Sequence, residues 1–321
     1  MAGFNDGGNL VGSLLAARAF TPLGASLILA FGVAAGPWLI GTAVAHTIVY
    51  SVVALPRLGP AVYLAGIAGT LGAVGLSWWR SLPTSTTLAL IGALAGAGLA
   101  AAGPSAVIWG ALGRVLVGMV LALGGGTVSG LLIWHLIRQV LRHVGAQAPP
   151  VLRGLQAASA ALVGMGYGGN DAEKSVALFA FAGAWSTAAG QRTMIAGHLP
   201  IPAWAIWAAV GTFVLGMTGG GLRVARTVGF RFYRVRSTDA LATQLATGLT
   251  VLVAGRLGQP ASATQTSTAA LLASGAARRL SLPRWSIVGE MVLSWVITLP
   301  LAFAGGFVAG GLWRLLGGGI G

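Results

Sequence analysis

Gly168-Gly169-Asn170-Asp171 stands between two apolar runs, Val151–Tyr167 and Val176–Ala196, in a chain that has three aspartates in all. An ionised Asp within a bilayer is costly unless it meets a cation, a proton or water. Whether these flanks cross a membrane therefore decides the reading. Of 321 residues, 56% are apolar and 7% charged, whereas soluble domains carry about 25% charged residues. Five acids and nineteen bases cannot keep a surface of this size in water. The composition excludes a soluble globular enzyme and predicts an all-α polytopic transmembrane protein. The net charge of +14 is almost all Arg, which reads as loop anchoring at a membrane face, not nucleic-acid binding. With no Cys, disulfides and thiolate metal sites are excluded.

Working outward, apolar runs recur at Leu10–Phe20, Leu23–Val53, Ala61–Trp79, Thr86–Ala102, Val107–Leu141, Ile201–Gly221, Leu241–Ala254, Thr264–Ala277 and Ile287–Leu316. A full span needs roughly 20 apolar residues. Several runs are shorter and interrupted by Gly, Pro or Ser, which predicts broken helices and re-entrant hairpins lining a cavity. The 52 glycines fit helices that pack backbone to backbone in lipid.

The chain also repeats itself. Gly3-Phe4-Asn5-Asp6 returns as Gly168-Gly169-Asn170-Asp171, and Pro83-Thr84-Ser85-Thr86-Thr87 returns as Pro260-Ala261-Ser262-Ala263-Thr264. A Trp opens the next segment each time, Trp109 and then Trp285. Two copies in one order predict transmembrane repeats at 1–145 and 146–321. The loop holding Arg223, Arg226, Arg231, Arg234 and Arg236 precedes the Pro260 hairpin, and Arg278, Arg279 and Arg284 follow it. Both ends of that hairpin, and the loop 223–239, are expected on the cytoplasmic side. The Pro83 hairpin has only Arg57 before it and Gly103-Pro104-Ser105 after it, so its mouth is expected to face outward. Opposite-facing hairpins give the two repeats inverted topology.

The chemistry follows from the repeated residues. Carboxylate and amide oxygens are hard ligands that suit Na⁺, and the Asp can alternatively take a proton. Gly three residues before each Asp allows the backbone to unwind and offer carbonyls. The blander role for such a pair is a helix cap. In P-x-S-x-T, Pro sets the first turn, and hydroxyls and free N–H groups stand at a helix start carrying roughly half a positive charge. Two such starts facing each other would enclose a tetrahedral oxyanion; capping by Ser and Thr is again the ordinary alternative. Arg80 and Arg256 precede the two hairpin prolines, placed either to attract the anion directly or to line a watery vestibule. Lys174 is expected to pair internally with Asp171 or Glu173. His46, His135, His143 and His198 form no metal-ligand spacing.

Taken together, these motifs resemble the inorganic phosphate transporter (PiT) family of cation-coupled symporters. The likeness runs through Gly3-Phe4-Asn5-Asp6 with Asn9, Gly41-Thr42-Ala43-Val44-Ala45, Gly168–Lys174, both hairpin motifs, Arg284-Trp285 and Leu293–Pro300. It implies secondary active transport of inorganic phosphate coupled to Na⁺ or H⁺. Carried over by motif, Asn5, Asp6, Asn9, Asn170 and Asp171 serve cation binding, and Ser85, Thr86, Thr87, Ser262 and Thr264 cradle the anion. The family's usual His after each hairpin Ser-Thr motif is Leu88 or Gln265 here, its His before the second Asn-Asp is Tyr167, and its Gln is Glu173. Only Met1 and Ala2 precede the first signature, where the family usually has an apolar helix.

The expected location is the plasma membrane, multi-pass. The expected partners are phosphate, the lipid bilayer and a second copy of the chain as a homodimer; no cofactor, no nucleic acid, and no metal beyond Na⁺ are expected. Sulfate or another tetrahedral oxyanion is the nearest alternative cargo. A non-transporting membrane subunit is the alternative of a different class.

Overall fold

The computed structural model describes residues 2–16, 20–79, 84–144, 148–219, 233 and 235–316. These fold as helices: α1 (Ala2–Ala16), α2 (Pro22–Ile40), α3 (Ala43–Ser51), α4 (Leu55–Trp79), α5 (Thr86–Ala102), α6 (Trp109–Val144), α7 (Ala148–Tyr167), a π-helical turn (Gly168–Ala172), α8 (Glu173–Trp185), α9 (Ala188–Ile195), α10 (Ala203–Gly219), α11 (Ser237–Arg256), α12 (Ala263–Arg278) and α13 (Trp285–Leu315). The one β-like feature among the described residues is an isolated bridge between Val53 and Val107.

Pro22–Ile40, Pro56–Ser77, Trp109–Arg142 and Trp285–Leu315 are long and apolar enough to cross a membrane, and α5 and α10 are shorter apolar helices. The outward faces of α6 and α13 carry exposed Val120, Leu121, Leu132, Leu293 and Val296. Such a continuous apolar surface is stable against lipid rather than water. The chain is therefore an integral membrane protein with an all-helical fold.

Three runs that read as simple apolar segments have more structure. Leu23–Val53 is divided into α2 and α3 at Gly41, whose φ of 103° favours glycine. Val176–Ala196 ends as α8 and restarts as α9, with the Thr187 hydroxyl capping Gly190 N. The first helix begins at Ala2, ahead of the run Leu10–Phe20, so the first Asn-Asp pair lies inside α1.

Small residues set the closest helix crossings. A Cβ on Gly96 of α5 would lie 2.0 Å from the Phe303 carbonyl oxygen of α13, and one on Gly3 of α1 would lie 2.1 Å from the Phe213 oxygen of α10. On α2, Gly32 and Gly36 meet the α7 backbone in the same way. Where water supplies no drive, backbones that approach this closely gain dispersion contact that larger side chains would block. Gly3 thus serves packing inside a regular helix; the unwinding expected near both aspartates occurs only at the second, as the π turn.

The two halves exchange partners. The α4–α5 hairpin packs on α13, the long helix of the other half, and the α11–α12 hairpin packs on α6. Matching local bonds recur as well: Trp109 Nε1 donates to the Pro104 carbonyl at 3.0 Å, and Trp285 Nε1 to the Leu280 carbonyl at 3.1 Å. The ends of the α11–α12 hairpin are tied by Asp239, which is fully buried. It accepts from Arg278 Nη1 at 2.8 Å, from Trp134 Nε1 at 3.0 Å and from Arg236 N at 3.0 Å. The start of α11 and the finish of α12 therefore lie at one end of the bundle, as a hairpin requires.

Candidate functional site

Asp6 lies one turn into α1 and is buried with its neighbour Asn5. A buried carboxylate needs donors, because an unpaired charge in an apolar interior costs several kcal/mol. Its donors come from both hairpins. Thr264 Oγ1, in the first turn of α12, donates to Asp6 Oδ1 at 2.6 Å, and Thr86 Oγ1, the first residue of α5, donates to Asp6 Oδ2 at 2.5 Å. Asn5 Nδ2 adds a bond to Oδ1 at 2.9 Å. Two helix starts, from opposite halves of the chain, thus converge on one carboxylate. Each contributes a positive dipole end as well as a hydroxyl.

Asn5 also fixes the first hairpin. Its Nδ2 donates to the Thr84 carbonyl at 2.7 Å, and its Oδ1 accepts from Thr84 N at 3.4 Å. The Thr84 hydroxyl in turn meets the Thr298 hydroxyl of α13. Because Thr298 Oγ1 donates to the Ser294 carbonyl at 2.6 Å, the Thr84 hydroxyl is the donor between them. Thr87 Oγ1 crosses to the second hairpin and donates to the Ala261 carbonyl at 2.9 Å. Ser85 and Ser262 have the ordinary capping role, accepting from Leu88 N at 3.1 Å and from Gln265 N at 3.4 Å.

The second aspartate sits in the π turn. Asn170 Nδ2 donates to the Gln259 carbonyl at 3.0 Å, so each signature Asn holds the tip of its own half's hairpin. Lys174 Nζ pairs with Asp171 Oδ1. Glu173 faces the other way, its Oε2 accepting from Ala45 N at 3.1 Å at the start of α3. Asn170 Oδ1 and Asp171 Oδ2 are buried and have no hydrogen-bond partner among the described residues. α1 packs against the π turn, and Asn5, Asp6, Asn170 and Asp171 are all buried, so the two signatures share one buried region. A cavity of about 130 Å³, enough for a few waters, adjoins it and has Thr86 and Lys174 on its wall.

Arg256 is not brought to this cluster. It is exposed, and its Nη2 donates to the Leu39 carbonyl at the end of α2 at 2.6 Å. Free C-terminal carbonyls attract a guanidinium there. Arg80 lies outside the described residues, as do Pro83, the Asn9 side chain and most of the loop 223–239. Thr84, Thr298, Gln259 and Tyr167 join the site without having been singled out as ligands. For Thr84, the first Thr of the P-x-S-x-T motif, proximity was available in the sequence. Gln259 and Tyr167 stand immediately before the second hairpin motif and the second signature, so theirs was too; only a tertiary contact reveals Thr298.

The profile described as "Phosphate transporter family" matches residues 2–306. The chain belongs to that family. It is therefore a transporter and not an enzyme. A protein from Rhizobium meliloti named "Probable low-affinity inorganic phosphate transporter" is 30% identical, with 94% of this chain and 88% of the relative aligned. Another of the same name, from Mycobacterium bovis, is 32% identical over 98% of this chain and 75% of its own length. A solved structure called "The sodium-dependent phosphate transporter" superposes with a TM-score of 0.81. At 21% identity, covering 98% of this chain and 96% of that one, it shares the fold.

Proposed function

We propose that the protein carries inorganic phosphate across the plasma membrane by symport with Na⁺ or H⁺. The observation that carries this reading is Asp6, held between the Thr86 and Thr264 hydroxyls of two opposed helix starts. With the carboxylate charged and no cation present, those hydroxyls are committed to it. A cation or proton arriving at Asn5 and Asp6 neutralises the carboxylate and releases the hydroxyls and helix dipoles to an incoming oxyanion. Anion and cation binding thereby become mutually dependent, which is the thermodynamic requirement of symport.

Asn170 and Asp171 form the second cation position of this scheme, and Thr87, Ser85 and Ser262 line the anion cradle at the two helix starts. Repeats 1–145 and 146–321 are related by inverted topology in this reading. The exchange of hairpins between the halves, α5 on α13 and α12 on α6, supports it. Rocking of one half against the other then exposes the cradle to each side in turn. The basic loop 223–239 faces the cytoplasm. Labelled phosphate uptake into proteoliposomes, with Na⁺ and pH gradients imposed separately, tests the proposal; competition by unlabelled sulfate tests the cargo. Uptake that ignores both gradients contradicts symport, and equal inhibition by sulfate and phosphate contradicts phosphate selectivity.

A further inference from the structure

Asp6 and Asp171 occupy matching places in the two signatures, but their charges are met differently. Asp6 is surrounded by neutral donors and makes no ion pair among the described residues. Asp171 is paired with Lys174, and the two side chains are 1% and 4% exposed. Lys174 is the one Lys in a chain whose other eighteen strong bases are Arg. An ammonium is a compact point charge, closer in size and coordination to a small monovalent cation than a planar guanidinium is. Glu173 does not compete for it, being turned to the backbone of α3.

We propose that Lys174 is a tethered cation that permanently occupies the second-signature cation position, leaving Asp6 as the place for a single mobile coupling ion. This rests on the reading of the Asn-Asp pairs as cation positions. Burial explains why such a device holds. The ammonium and the carboxylate would each be costly alone, and together they form a neutral unit that needs no ion from solution. The remaining free oxygens, Asn170 Oδ1 and Asp171 Oδ2, are the acceptors that a mobile ion would use if the ammonium were removed. A purely structural pair would brace the π turn and leave the ion requirement alone.

The experiment measures phosphate uptake into proteoliposomes against Na⁺ concentration at fixed pH. Wild type is compared with Lys174→Ala and with the charge-neutral double variant Lys174→Met/Asp171→Asn. Lys174→Ala is expected to acquire a Na⁺ requirement, with uptake rising about fivefold or more on Na⁺ addition, the lower end of ordinary site coupling, and more steeply than in wild type. The double variant, whatever its rate, is expected to keep the wild-type midpoint and steepness, since both charges leave together. A wild-type Na⁺ curve for Lys174→Ala, or an altered one for the double variant, overturns the proposal. Should Lys174→Ala not transport, its thermal midpoint in detergent decides: a Na⁺-induced rise larger than that of wild type supports the proposal, and a rise no larger than that of wild type overturns it. Wild-type uptake that responds to no cation gradient would instead defeat the underlying symport reading.

Discussion

Thr264 and Asp6 stand 258 positions apart in the chain and 2.6 Å apart in space, hydroxyl to carboxylate. With Thr86 on the other carboxylate oxygen, this bond makes the two hairpins share one charged group. Thr86→Val and Thr264→Val each remove a hydroxyl while keeping the branched shape. A hydrogen bond to a charged group contributes about 1.5–3 kcal/mol, so the apparent affinity for phosphate is expected to fall roughly ten- to a hundredfold. Thr→Ser at either position retains the hydroxyl and is expected to stay near wild type. Uptake titrations on the four variants check this.

Gly96 on α5 allows α13 to approach the first hairpin closely. A Cβ there would meet the Phe303 carbonyl at 2.0 Å, and backbone cannot move aside as a flexible side chain would. Gly96→Ala is expected to destabilise the protein by about 1–3 kcal/mol through overpacking. Gly72, also helical but with open space around it, is the control: Gly72→Ala should leave the thermal midpoint in detergent unchanged or slightly raised.

Asp239 closes the base of the second hairpin and lies apart from the signatures. Asp239→Ala leaves the Trp134 N–H and the part-buried Arg278 guanidinium without their acceptor, and a lost hydrogen bond to a charged group costs about 1.5–3 kcal/mol. Adding Arg278→Ala to it is expected to restore part of the loss, because the unpaired charge goes too. Chemical or thermal unfolding of the single and double variants measures this coupling.

Arg256 points in another direction from the one its place in the sequence suggests. Its guanidinium serves the Leu39 carbonyl at the end of α2, so Arg256→Ala is expected to leave the apparent phosphate affinity within about twofold, an exposed polar contact being of small energetic weight. A large loss of affinity in uptake titrations would return this residue to the anion cradle.

The membrane fold was legible because so few charges cannot cover a soluble surface, and the site because rare acids in repeated motifs stand out against apolar helices. Asn5, Asp6, Thr86 and Thr264 are recognisable as polar groups with no reason to be buried except each other. The sequence does not say that the hydroxyls converge on Asp6 rather than on an open cradle. That depends on how α1 enters between hairpins from both halves. The direction of Arg256 was likewise hidden, since a neighbouring helix end contributed by α2 decides it. Gly3 illustrates a different gap. Its spacing from Asp6 suggests an unwound backbone, whereas close contact with α10 keeps it helical. The π turn at Gly168–Ala172 has no signature of its own, because the same Gly-x-Asn-Asp pattern is a plain helix in the first half.

The most direct test of the account is gradient-driven phosphate uptake by Asp6→Asn, which keeps the shape of the side chain and removes its charge. Uptake driven by either a Na⁺ or a proton gradient is expected to fall to background while the thermal midpoint stays within a few degrees of wild type. Gradient-driven uptake at the wild-type rate in that variant would show that coupling does not pass through this carboxylate.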